Sequence, residues 1–213
     1  TMPFAPNRKP VHEAYSPASR RQEFPRANFA FLLRVASNIA SAVATVHESG
    51  CVIGDVNHSG LLVAADATVT LIDTDSFQFS ADKQLYPCEV GVEEFTPPEL
   101  QGRSLAGILR TKNHDNFGLA VLIFYLLFMG RHPFAGQPIG NAPPPTMQEA
   151  IKNFRFAYSS RRSETHLAPP PHTATLSDVP QEVRDAFELA FGPSGSTSGR
   201  PSAPDWVRIL ANC

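Results

Sequence analysis

The pattern of apolar and polar positions changes character near residue 27. Before it, "TMPFAPNRKPVHEAYSPASRRQEFPR" is dense in proline and charge and keeps neither a 3.6-residue nor a two-residue period, so residues 1–26 are expected to be an ordered loop or linker. From Ala27 onward Phe31, Val35, Ile39, Val43 and Val46 recur at three- and four-residue steps with small alanines between them. That spacing predicts a long amphipathic helix, which Gly50 can close in a left-handed cap. Two short β-branched runs follow at 61–63 and 68–72, separated by the turn-like "AADA", and predict a small hairpin. The stretch 76–94 is polar and aperiodic, a long surface loop of the kind that often carries function. "FTPPEL" then reads as a proline-enforced turn running into a helix start.

The second half is more apolar. "FGLAVLIFYLLFMG", residues 117–130, is hydrophobic on every side, yet short of the roughly 20 residues that cross a bilayer. It predicts a buried core helix, with Asp115 placed to cap it by accepting backbone N–H bonds. "GRHPFAG" stops that helix, and "TMQEAIKNF" (146–154) predicts a shorter one. Residues 157–180 look irregular and flexible. Two last helices are expected at 181–191 and 203–211, joined by a flexible "GPSGSTSGRPS", and no segment repeats. The fold class is therefore mainly α with a small β-hairpin.

Composition narrows the possible partners. A chain of 213 residues suits one domain with a real core. The formal net charge is −2, and the basic residues are scattered apart from Arg20-Arg21 and Arg161-Arg162. No charged stripe argues for nucleic acid or for a membrane surface. Three cysteines, Cys51, Cys88 and Cys213, are an odd number without a CxxC spacing, and no signal peptide opens the chain. Free thiols and a cytoplasmic location are expected.

Two aspartates stand out because they sit where the neighbours belong inside a fold: Asp55 in "VIGDVNHSGLLV" and Asp73 in "VTLIDTDSF". Each could be a turn residue bonding its own backbone. His58 and His114 lie near carboxylates, but without HxxxH, HExxH or Cys/His spacing they read as surface residues, and His47 as a packed, hydrogen-bonded one.

The order of motifs resembles the protein-kinase family. "VHESGCVIGDVNHSGLLV" is similar to the helix, strand and H-R-D-L-x-x-x-N catalytic loop, and "LIDTDSF" falls where D-F-G should be. "VGVEEFTPPEL" resembles the end of an activation segment, "HDNFGLAVLIFYLLFMGRHPF" the following helix and T-G-x-x-P-F turn, and "RPSAPDWVRIL" the closing helix. The wording resembles a divergent bacterial group of kinase-like proteins, often linked to helix-hairpin-helix domains or to tellurite-resistance-type gene clusters. The resemblance implies a kinase C-terminal lobe over 27–213, with a catalytic loop at 52–63 and an activation-type segment at 73–99. It implies Asp55 as catalytic base and Asp73 as magnesium ligand. Leu62, Asn57 and, in the hinge-like opening "TMPF", Met2 would meet ATP. Glu99, Arg200 and Asp115 would be structural, with Glu99 and Arg200 paired. ATP and Mg²⁺ are the implied cofactors, and a protein substrate or regulatory protein the implied partner.

The chain departs from the family at defined places. Gly54 replaces the arginine before the base, so no guanidinium there meets a phosphorylated loop. Asn57 replaces the phosphate-contacting lysine. Gly60 stands where an asparagine should bind a second Mg²⁺, Thr74 replaces the phenylalanine of D-F-G, and Asp75 its glycine, where it reads as a loop cap or a second metal ligand. No Gly-rich loop, strand lysine or helix glutamate precedes the first helix, so the N-lobe is absent from this chain. The lobe alone is expected to be sticky, to bind ATP poorly and to be inactive. A pseudokinase scaffold that holds a protein partner is the alternative implied by Gly60 and Asn57.

Overall fold

The computed structural model describes residues 7–213, so Met2 and the hinge-like tetrapeptide lie outside the described residues. The segment that follows them is not a loop. Arg8–Pro10 forms a strand, β1, and two helices follow, α1 (Val11–Tyr15) and α2 (Pro17–Glu23). Val11, Ala14 and Tyr15 fall at i, i+3 and i+4 and are all buried, while Pro17 opens α2 where its missing N–H costs nothing. Helices of five and seven residues are too short to show a period.

The long helix α3 runs over Phe29–Glu48, capped by Asn28, whose side chain accepts the N–H of Phe31 at 3.0 Å. Among the described residues it is the one helix long and apolar enough to cross a membrane. Its buried face carries Phe31, Val35, Ile39 and Val43, and its exposed face Arg34, Asn38, Ser41 and Thr45.

The expected hairpin forms from β2 (Leu61–Ala64) and β3 (Val69–Leu71), but β1 pairs along the other edge of β2 to make a three-stranded antiparallel sheet. Leu62 faces Pro10 on one side and Thr70 on the other. A second hairpin, β4 (Phe79–Ala81) and β5 (Gln84–Tyr86), interrupts the expected surface loop. Its two turn residues, Asp82 and Lys83, both have positive φ (51° and 64°), as a type I′ turn requires.

After Pro97 the chain makes a 3-10 turn at Pro98–Leu100 and not the expected helix start, because the backbone turns away through Gly102 at φ 73°. The apolar run becomes α4 (Lys112–Leu127), buried without a break from Asp115 to Leu127. Beyond it come the strand β6 (Gln137–Pro138), α5 (Met147–Lys152), α6 (Arg162–Thr165), β7 (Leu167–Ala168) paired with β6, and α7 (Gln181–Phe191). The region 157–180, expected to be flexible, is held down: Tyr158 is buried, and Glu188 of α7 accepts from the hydroxyls of Ser159 (2.8 Å) and Ser160 (2.9 Å). The glycine- and serine-rich joint also folds, as α8 (Pro193–Ser198), and α9 (Ala203–Leu210) closes the chain.

The core is built on α3, which lies against both α4 and α9. Phe124, Phe128, Phe134, Phe156, Phe187 and Phe191 stack around α4, and Trp206 of α9 joins them through Phe187 at 5.0 Å. The architecture is mainly α with small antiparallel sheets. The sheet that carries the candidate chemistry sits at one end of this helical core.

Candidate active site

Asp115 does not cap α4. Thr111 does: its hydroxyl accepts the N–H of His114 at 3.3 Å, and Nδ1 of His114 accepts the N–H of Thr111 at 3.2 Å. Asp115 is freed to turn inward from the first turn. Its fully buried carboxylate accepts from the backbone N–H of Ile53 (2.7 Å) and Gly54 (2.8 Å) and from Nε2–H of His47 (2.9 Å). Three donors satisfy a carboxylate that would otherwise be costly to bury. The helix also comes very close to the loop: a Cβ on Gly118 would lie 2.6 Å from the carbonyl oxygen of Val56, so only glycine fits. The backbone of 53–56 is thereby fixed to the most deeply buried helix in the molecule.

On that fixed loop Asp55 is half-buried, with Oδ1 accepting the N–H of Val92 at 3.1 Å. Asn57, 8% exposed, uses both ends of its amide locally: Nδ2 donates to the Asp55 carbonyl (3.1 Å) and Oδ1 accepts from Ser59 N–H (2.7 Å). Asp73 has left-handed backbone (φ 63°, ψ 37°), a conformation an aspartate tolerates better than most residues. Its carbonyl accepts the Ser76 hydroxyl at 3.0 Å, while its exposed carboxylate takes no hydrogen bond or ion pair among the described residues. No side chain caps the turn Thr74–Ser76, so Asp75 is not the cap.

Asp55, Asn57 and Asp73 line one cleft together with Gly60, Leu61 and Phe77. Its enclosed interior is about 20 Å³, space for about one water and far too little for a nucleotide. Leu62 points away from this cleft, half-exposed, on the sheet face opposite Leu61 and Val63. Among the described residues no group of three or more His, Cys, Asp or Glu side chains converges to hold a metal ion. The free carboxylate of Asp73 is a hard oxygen ligand of the type Mg²⁺ takes, usually with waters and phosphate oxygens completing its shell. Gly60 supplies no second side-chain ligand.

The far end of the segment 73–99 is fastened separately. Glu99 and Arg200 form a bidentate pair, Nη1 to Oε1 at 2.8 Å and Nη2 to Oε2 at 2.9 Å, with the guanidinium side chain fully buried. Burial pushes the Glu99 carboxyl up, but the Arg200 hydrogen bonds and charge outweigh it and leave it below the ordinary range. Thr96 faces inward, its hydroxyl donating to the Val92 carbonyl at 2.9 Å, which removes it from the exposed hydroxyls of this segment, Ser80 and Tyr86 among them. His58 and His114 are not surface residues either. The first meets the Tyr15 hydroxyl at 3.2 Å and the Phe95 ring edge-on, and the second belongs to the α4 cap.

Sequence spacing gave no sign of His132, although it holds the same segment. Nε2–H donates to the Glu94 carbonyl at 2.9 Å and Nδ1 accepts from Phe134 N–H, so the neutral ring is satisfied at both nitrogens. Burial pushes its pKa down to about 4. The unfolded chain takes up this proton near pH 6.5 and the folded chain does not, so the stability is fully present above that pH and is lost as pH falls towards 4. The loss should approach about 3 kcal/mol. Urea unfolding at pH 7 and pH 4.5 should show that part of the acid sensitivity missing from His132→Gln; an identical pH dependence in the two proteins would refute the assignment.

No family model matches this chain. It is similar to two curated proteins, each named Protein kinase YegI, from Escherichia coli strain K12 and Escherichia coli O157:H7. Both are 50% identical over 210 residues, which is 98% of this chain and 32% of the relative. The chain spans about a third of the length of the curated relatives it matches. The likeness runs along essentially the whole chain and supports a kinase-like protein.

Proposed function

We propose that this chain is the C-terminal lobe of an ATP-dependent Ser/Thr protein kinase of the divergent bacterial kind, working in the cytoplasm. The observation that carries the reading is that Asp55, on the loop anchored through Asp115, lines one cleft with Asp73 from the end of β3. Asp55 orients a protein hydroxyl and accepts its proton as the γ-phosphate is transferred. Mg²⁺, held by Asp73, would neutralise charge on the phosphates during transfer. Leu62, on the sheet face turned away from that cleft, would offer an apolar surface for adenine, and Met2 is the other residue proposed to meet it. Ser76 to Pro98 faces the substrate. The small cleft and the half-exposed Leu62 face of the sheet support an expectation that the fragment needs an N-lobe to be active.

One observation favours the second reading, a pseudokinase scaffold for a protein partner. Both ends of the Asn57 amide are spent on backbone, and Gly60 has no side chain, so two of the usual phosphate and metal contacts are missing. The experiment extends the chain upstream by roughly 100 residues, the size of a small domain, and measures transfer of labelled γ-phosphate from Mg·ATP to itself and to a generic protein substrate. Transfer by the extended protein, abolished by EDTA and missing from the 213-residue chain, is the expected result. A well-folded extended protein without transfer would overturn it in favour of the scaffold.

A further inference from the structure

Where the kinase pattern has an arginine before the base, this chain has Gly54, and the space is filled from elsewhere. A Cβ on Gly54, whose φ is +78°, would sit 2.4 Å from Cβ and 2.6 Å from Sγ of Cys88, and 3.4 Å from Cγ of Arg110. Arg110 is 2% exposed. Its Nη2 donates to the Val90 carbonyl at 2.8 Å and would lie 3.0 Å from a Cβ on Gly91. The Arg110 backbone is held too: its N–H donates to Oε1 of the buried Gln78, and its carbonyl accepts from Nε2, both at 2.8 Å. Gln78 in turn pairs through its own backbone with Val52, at 2.8 and 2.9 Å. The connections form a ring, from Val52 through Gln78, Arg110 and Val90 to Val92, whose N–H returns to Asp55.

We infer that Arg110 is a positioning residue, a built-in guanidinium that clamps the segment 88–92 against the catalytic loop and keeps the Val92 bond to Asp55 without any phosphate on the segment. The inference rests on the kinase reading of Asp55 for its consequence, but the clamp itself is independent of activity. Its Nε is buried with no partner among the described residues, an unfavourable placement for a charged donor. A side chain placed at that cost is specified by more than surface solvation. With Gly54 removing the phosphate-reading guanidinium and Arg110 supplying a permanent one, the segment has no phosphorylation-dependent state to switch between.

The test measures hydrogen exchange of the Val92 amide, the one amide of 88–92 with an acceptor among the described residues, in the full-length protein, beside its melting temperature. Arg110→Met should speed exchange there by about ten-fold or more, the loss of one charge-assisted hydrogen bond, while amides of the helical core stay protected. Arg110→Lys, which keeps a donor for Val90, should recover part of the protection. Gly54→Ala drives Cys88 off the loop from the opposite side and should give the same local loss if Arg110→Met does not fold. Prior phosphatase treatment of the wild type should leave the protection unchanged. Unchanged exchange in a folded Arg110→Met or Gly54→Ala protein, or protection that vanishes after phosphatase treatment, would overturn the clamp. Absence of phosphoryl transfer with protection intact would instead count against the kinase reading alone.

Discussion

Glu99→Ala and Arg200→Met are each expected to destabilise the fold by about 3–5 kcal/mol, lowering the melting temperature by roughly 10 °C. The reason is what each leaves behind. Without Glu99, a guanidinium of zero side-chain exposure keeps its charge with no counter-ion, retaining the carbonyls of Asn113 and Ala190, each at 3.1 Å, and the face of the Phe117 ring at 5.2 Å. Without Arg200, those carbonyls lose their donor and Glu99 keeps only Ser196 at 3.1 Å and a histidine ring 4.0 Å away. Removing both partners leaves no unpaired charge, so Glu99→Ala/Arg200→Met should cost well under the sum of the singles. Urea denaturation of the three variants reads this directly, and strict additivity would show that the two side chains do not act as a pair.

The second large effect concerns turnover. Asp55→Asn in the extended protein should lower phosphoryl transfer by about 10²–10⁴-fold, the usual contribution of a positioned base. The fold should be indifferent, because the amide oxygen of asparagine can still accept the Val92 N–H that Asp55 now takes at 3.1 Å. An Asp55→Asn protein that melts with the wild type and has lost transfer identifies the base. One that keeps transfer removes Asp55 from the chemistry, and one that merely keeps partner binding, beside an inactive wild type, identifies the scaffold.

What could be read from the chain depended on length and on locality. α3, α4, α7 and α9 were legible because each is long enough for periodicity, or for a continuous apolar run, to stand out. α1, α2 and α8 were not, because five to seven residues hold little more than one turn of pattern, and their helicity follows from packing in α1 and from proline at the first position in α2 and α8. The β4–β5 hairpin was hidden by its turn, where Asp82-Lys83 adopts a geometry normally announced by Asn-Gly. In the site, Asp55 and Asp73 were visible as carboxylates among apolar residues. Asp115 was visible but given the wrong task, since Thr111 with His114 forms a capping box that lacks the usual Glu or Gln. Gln78, Arg110 and His132 left no sign at all: the partners that matter lie 20 to 38 residues away, and no local spacing encodes that.

The packing of α3 has a consequence for how the protein is made. Its apolar face, long enough to be mistaken for a membrane span, is covered in part by α4 and in full only when α9 has arrived from the other end of the chain. Those last residues leave the ribosome about 150 positions after α3, an interval of roughly 10–30 s at ordinary elongation rates. For all that time the nascent chain displays a hydrophobic helix that α4 alone can cover only in part. A chain truncated before Trp206 should leave that face unsealed and aggregate as it emerges.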